Sequence, residues 1–280
     1  MHEYGNIVRI EHVNLKQPDQ RLATIFYVSG LGLTRDPYMK TGVENMWINA
    51  GRNQLHLPTG NPQRLRGRIG LVVPDLGALY NRLAHVAPLL ALTEFKFEDR
   101  GAFADVTCPW GNRFRCHPPA AEFGTVELGL AYVELNVPTR SAARIAGFYR
   151  EIIEAQTTTE VRDGSEIASI RTGKNQYLRF RETDQPLPPY DGHHIQIYIA
   201  EFVQPHERLL ARNLITRETN HDEWRFRDIV DTTTNEVLFT IEHEIRSLQH
   251  PLYDRPLVNR NPEKTNRNYV PGNDAFSGNF

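Results

Sequence analysis

The chain has 280 residues, 32 basic against 34 acidic side chains and a formal net charge of -2. A near-neutral balance gives no driving force for general phosphate binding, which excludes a nucleic-acid-binding role as a first expectation. A hydrophobic fraction of 40% with 24% charged residues is that of a globular protein, not a disordered one. No apolar run reaches the ~18 residues of a membrane span, and Met1-His2-Glu3-Tyr4-Gly5-Asn6 lacks a signal peptide's apolar core. Cys108 and Cys116 form no CxxC pair, so reduced thiols in a cytoplasmic protein are expected.

Val8–Leu15, with Ile7 before it, reads as a first strand, with Val13 and Leu15 on one face and His12 and Asn14 on the other. Asp19 is placed to cap a helix over Gln20–Tyr27, closed by Gly30-Leu31-Gly32. Met46–Ala50, a Gly51-Arg52-Asn53 turn and Gln54–Leu57 follow as strands. The order then recurs: strand Gly67–Val73, helix Leu76–Ala84, strand Phe103–Thr107, a Pro109–Asn112 turn and strand Arg113–His117.

A third unit takes in strand Leu128–Val137, helix Ala142–Ile153, strand Ile167–Arg171, a Gly173-Lys174-Asn175 turn and Gln176–Phe180. Phe26-Tyr27 matches Phe148-Tyr149, and Gly51-Arg52-Asn53-Gln54 matches Gly173-Lys174-Asn175-Gln176, both at one offset, which indicates an internal duplication. A fourth unit starts with His193–Ile199, where Ile195, Ile197 and Ile199 alternate with His194, Gln196 and Tyr198. Helix Gln204–Arg212, strand Trp224–Val230 and strand Val237–Glu244 complete it. Divided along the sequence, this gives a domain over 1–121, a second over 127–247 and an irregular C-terminal arm over 248–280.

Four βαβββ units in two pairs resemble the vicinal oxygen chelate superfamily of glyoxalases, bleomycin-resistance proteins and type I extradiol dioxygenases. The likeness is carried by His12-Val13-Asn14-Leu15, the Phe-Tyr pair, Gly67–Val73, Cys108-Pro109-Trp110-Gly111-Asn112 and His194-Ile195. It implies an α+β fold in which paired modules curl mixed sheets into cups. It also implies a divalent metal (iron, manganese or zinc) held by two His and one Glu, with open positions for substrate.

Carried onto this chain, the resemblance places His194 in the second cup, with Glu134 and Glu242 as its metal-binding companions. Tyr132 competes with Glu134 for the module-three position, and a plainer reading, the one favoured here, takes Glu242–Arg246 as a solvated strand end. In the first half His12, His56 and His117 form an alternative metal set. Arg68 and Arg115 stand where metal ligands belong and suit an anionic ligand.

Two functions follow from this pattern. The first is an enzyme acting on an aromatic or carbonyl-bearing small molecule, resembling the dioxygenases and glyoxalases. There His194, Tyr132, Tyr198 and Arg227 would do the chemistry, and Gln196, Trp224 and Gln176 would hold the substrate. The second is a sequestering protein of the bleomycin-resistance type without chemistry. A homodimer is expected from the fold resemblance alone.

Overall fold

The computed structural model describes residues 4–39, 42 and 44–260. Among these residues sixteen strands form two mixed sheets of eight, with few helices, an α+β fold. In chain order they are β1 (Ile7–Asn14), β2 (Thr34–Arg35), β3 (Asn45–Ala50), β4 (Asn53–Pro58), β5 (Gly67–Val72), β6 (Lys96–Asp99), β7 (Ala104–Thr107) and β8 (Arg113–His117). The second half supplies β9 (Gly129–Pro138), β10 (Thr157–Arg162), β11 (Ser165–Arg171), β12 (Tyr177–Thr183), β13 (His194–Ile199), β14 (Ile215–Thr219), β15 (Glu223–Val230) and β16 (Val237–Ser247).

Contacts divide the chain into two compact units. Unit 1 joins the chain up to residue 13 to 132–255, and unit 2 joins 14–131 to the chain from 256. This is not the division drawn along the sequence, because β1 keeps company with the second half. In unit 1 one sheet contributes the run β14-β15-β16-β13-β1 and the other β10-β11-β12-β9. In unit 2 the runs are β4-β3-β2 and β5-β8-β7-β6.

Each unit buries one apolar face of its strands under helices. In unit 1, α3 (Ala142–Glu151) presents Ile145, Phe148 and Tyr149 to the core, a spacing that keeps one stripe inward. Phe148 meets Phe226, and Tyr149 meets Phe180 and His243. α4 (Val203–Leu210) covers Trp224 in the same way. In unit 2, α2 (Leu76–Val86) starts at Asp75, whose carboxylate accepts the Ala78 N–H, and buries Leu79, Leu83 and Val86.

Asp19 caps α1 (Gln20–Ala23) as its sequence suggests, accepting the Leu22 N–H at 2.9 Å. The expected helix over Gln20–Tyr27 is α-helical only for Gln20–Ala23, and Thr24–Gly30 continues as a π-helix. The Leu31 N–H reaches back five residues to the Phe26 carbonyl, and this wider turn sets Gly30 against Val86 and Leu83 of α2.

The duplicated glycine turns do matching work. Gly51, at φ +64°, packs against the start of β9, and Asn53 Oδ1 accepts the Leu130 N–H at 2.9 Å. Gly173, at φ +122°, packs against Val8 of β1, and Gln176 Oε1 accepts the Ile10 N–H at 2.7 Å. In each unit a turn from one module pins the opening strand of another. Gln176, expected to hold substrate, therefore spends its carboxamide on the β1 backbone.

Of the expected C-terminal arm, residues up to 260 are described, and 261–280 lie outside the described residues. Asn259 accepts from the Gly51 N–H at 3.0 Å and donates to its carbonyl at 2.9 Å, so this part of the arm is packed. Both cysteines are free and buried. No helix among the described residues is long and apolar enough to cross a membrane.

A Cβ at Gly51 would lie 1.9 Å from the Leu128 carbonyl oxygen in a backbone geometry that L side chains avoid, whereas one at Gly101, also at positive φ, would meet nothing within 4 Å. Gly51→Ala is thus expected to cost ~3 kcal/mol or more from overlap and strain together, and Gly101→Ala ~1 kcal/mol, by denaturant titration. A second expectation concerns His243, fully buried, stacked on Phe226, with Nδ1–H donating to the Ile241 carbonyl and Nε2 accepting from the Tyr149 hydroxyl at 2.5 Å. Burial pushes its pKa down from 6.5 to about 3. The unfolded chain then takes up this proton first, so this contribution is whole above pH 6.5 and drains away as pH falls toward 3. His243→Phe should flatten that part of the stability–pH curve.

Candidate metal centre

β13 is flanked by β1 and β16, and the register between β13 and β16 sets the site. His194 lies opposite Glu242, Gln196 opposite Glu244, and Tyr198 opposite Arg246. On the next strand Arg225 lies opposite Glu244, and Glu223 opposite Arg246. Period two puts this polar set on one face, while Ile195, Ile197, Ile241, His243 and Ile245 fill the other.

β1 brings His12 alongside: the His12 and His194 rings stand 5.8 Å apart, edge to face. His12, His194 and Glu244 each offer a donor atom, all within 4.8 Å of one another, and they are the three-donor group found among the described residues. His194 Nε2 is 3.4 Å from Glu244 Oε2 and, though buried, makes no directed hydrogen bond. Burial pushes the His12 pKa down despite the Glu11 carboxylate at 3.2 Å, so its ring is neutral at pH 7. Burial alone would raise the Glu244 carboxyl. The His194 ring beside it, then His12, Arg246 and Arg225, instead hold it well below the usual range. Neutral imidazole and ionised carboxylate are the states that bind a divalent ion.

Around these donors runs a chain of ion pairs. Arg225 touches Glu223, Glu242 and Glu244, and Arg246 touches Glu11, Glu223 and Glu244. Four carboxylates are therefore linked to two guanidinium groups, a shortfall of two positive charges in a largely buried network. Beside it Gln196 is fully buried, and neither end of its carboxamide has a hydrogen-bond partner. Tyr198 reaches Glu11 with its hydroxyl at 3.4 Å, and burial, with that carboxylate next to it, keeps the phenol protonated.

The sequence-derived candidates are thus dispersed in part. His194, Gln196, Tyr198 and Glu242 share the site, with Glu242 3.8 Å from His194 Nδ1. Glu242–Arg246 is not a solvated strand end: β16 runs on to Ser247, and Glu244 and Arg246 are buried because Glu223, Arg225 and His194 cover them. Glu134 sits on β9, in the other sheet, near Arg181 at 3.5 Å, and Tyr132 lies under the Arg179 guanidinium. Trp224 points the opposite way from Arg225, into the apolar layer with Phe202, His206 and Phe226. Arg227 is exposed at an irregularity in the β15–β16 register, and Asp228 takes the Thr240 hydroxyl instead.

The alternative set is not gathered either. His56, in unit 2, stacks on Trp47 and places its two ring nitrogens on Asn14 and Asn45 at 2.6 and 2.5 Å. His117 packs against Phe103 and Phe123. The residues that sequence reasoning passed over are Glu11, Glu223, Glu244, Arg225 and Arg246. Strict alternation of Thr240, Glu242, Glu244 and Arg246 with Ile241, His243 and Ile245 was the available signal.

No protein-family model matches the chain, and no curated protein sequence matches it significantly. Solved structures do. A putative dioxygenase from Bacillus subtilis subsp. subtilis str. 168 aligns at 13% identity over 86% of each chain, with a TM-score of 0.56. Glyoxalase I from Zea mays aligns at 14% identity over 85% of this chain and 92% of its own, with a TM-score of 0.57. At such identities the likeness establishes a fold shared with these two proteins and leaves activity to the site.

Removing Arg225 should leave Glu244 and Glu223 under-compensated in a poorly solvated place. Arg225→Ala is expected to destabilise the metal-free protein by ~3 kcal/mol. Glu242→Gln, at a more exposed carboxylate, should cost under ~1 kcal/mol, and chemical denaturation compares the two.

Proposed function

We propose that the chain is a metal-dependent enzyme of the vicinal oxygen chelate type, with His12, His194 and Glu244 as its metal ligands. The observation that carries this reading is the charge shortfall: four carboxylates against two arginines, beside two imidazoles, is a deficit one divalent cation fills. Bound there, such an ion would supply Lewis acidity to a chelating oxygen of the substrate.

The chain's own groups then have assignable tasks. Gln196, buried and unsatisfied, is a hydrogen-bonding partner for a polar substrate atom. The Tyr198 hydroxyl is a donor, not a base, because its proton is held above the ordinary phenol range. Glu242, the most exposed carboxylate of the network and beside His194 Nδ1, is the group placed to accept a substrate proton. Arg225 keeps Glu242 and Glu244 apart and oriented. A small aromatic or carbonyl-bearing substrate suits the polar face that His194, Gln196 and Tyr198 share. The shared fold with a glyoxalase I and a putative dioxygenase supports such a scaffold without assigning the reaction.

A second reading, a binding protein without chemistry, draws on one feature: Arg225 and Arg246 already pair with Glu244. Metal analysis separates the two. The purified protein, dialysed and reloaded with iron, manganese or zinc, is expected to hold one ion per chain and to melt at higher temperature. At an ion concentration 100 times Kd the gain is about 2.7 kcal/mol. His194→Ala and Glu244→Gln should abolish both the stoichiometry and the shift. A wild-type chain that takes up none of these ions, or variants that bind as well as wild type, would sink the assignment.

A further inference from the structure

In unit 2 a cavity of about 580 Å³ opens on the β5-β8-β7-β6 sheet, far richer in cations than the chain as a whole. Five cationic side chains line it against two carboxylates. Register divides them into rows. In one row Thr107 lies between Lys96 and Arg113, and Arg68 lies beside Arg113, one residue before the Ile69–Phe114 pair. In the next, Asp105 lies between Glu98 and Arg115, with Gly70 beyond.

Both carboxylates thus fall in the second row, and both are engaged there. Arg115 grips Asp105 with two bonds of 2.8 and 3.1 Å while lying over the Phe103 ring, and Arg100 meets Glu98 at 2.7 Å. The first row carries three cations and no carboxylate. Within it Arg113 Nε donates to the Gly67 carbonyl at 3.2 Å. Gly70 adds no side chain beside Arg115, which leaves depth on the sheet surface. Asp105 registers the local field. Burial alone would raise its pKa, but the Arg115 bond and charge, with Arg68 and Arg100 nearby, bring it below the usual carboxylate value.

We propose that this row is a binding site for a small, multiply charged oxyanion, a phosphate ester or a dicarboxylate, with Lys96, Arg68 and Arg113 as cationic contacts and the Thr107 hydroxyl as a hydrogen-bond donor. Arg is suited to forked contacts with either group, and Lys adds a mobile point charge at the mouth. The site lies within unit 2 and uses none of the residues assigned to the metal centre. Its ligand need not be that centre's substrate.

Calorimetric titration of the full-length protein tests this, with glycerol phosphate in one arm and succinate in the other, at matched ionic strength. Saturable binding in one arm is expected, weakening as salt rises, and the arm that binds names the ligand chemistry. Lys96→Gln with Arg113→Gln should weaken it at least tenfold, while Arg64→Gln, a cation outside the cavity, leaves it unchanged. His194→Ala protein should bind as wild type, which keeps failure of the metal assignment distinct from failure here. If the double variant does not fold, Thr107→Ala and amide shift mapping on the wild type locate the ligand. No saturable binding in either arm, binding unaltered in the folded variant, or shifts lying away from β6, β7 and β8 would overturn the proposal.

Discussion

Glu244 is the residue on which the first unit's chemistry turns. One carboxylate, nearly out of solvent, is reached by two arginines from β15 and β16 and by an imidazole from β13. Taking such a charge from water costs several kcal/mol, and only a full set of partners offsets it. The partners are supplied by register: the β13–β16 pairing sets Gln196 beside it, and the β15–β16 pairing sets Arg225 beside it. A slip of one residue would send the whole set into the apolar layer and bring His243 and its isoleucine neighbours to the site.

Stability alone does not call for this network. Hydrophobic residues of similar size hold sheets together as well or better than buried ion pairs do. Nor is the network electrically complete, since its carboxylates outnumber its arginines and burial favours a neutral His12. A structural lattice of ion pairs would be expected to close on itself. One that stays short by the charge of a divalent ion, with an unsatisfied carboxamide beside it, has the marks of a place for something else.

Much of the architecture was legible because it is local. The glycine turns, the Phe-Tyr pairs and the alternating strands are set by neighbours in sequence, and the offset repeat exposed the duplication. Alternation alone sets His194 on the face of Gln196 and Tyr198. His12 could not be joined to it, because which first strand lies beside β13 is decided by sheet assembly over long sequence separation. Dividing the chain into sequence halves placed these two imidazoles in different cups. Glu134 follows from carrying the offset of the repeat forward from His12, a step that gives His194 a companion from its own sequence half. Counting from the turn reaches Leu238, with Glu242 farther along on the same face and Glu244 two beyond, and the irregularities in the β15–β16 register defeat such counting. The π-turn after Ala23 likewise has no signature in helical spacing.

The two polar faces carry opposite signs. In unit 1 the strands around β13 hold a carboxylate excess, and in unit 2 the strands around β7 hold a cationic one. Period two is what permits this divergence. Core-facing positions such as Ile195, Ile197, Phe114 and Val106 keep the sheets packed, whatever occupies the alternate positions. A duplicated module can therefore keep its fold while one polar face gathers acids and imidazoles and the other gathers arginines. The charge on each face then suits what that face meets, and the ligands proposed for the two faces are of opposite sign.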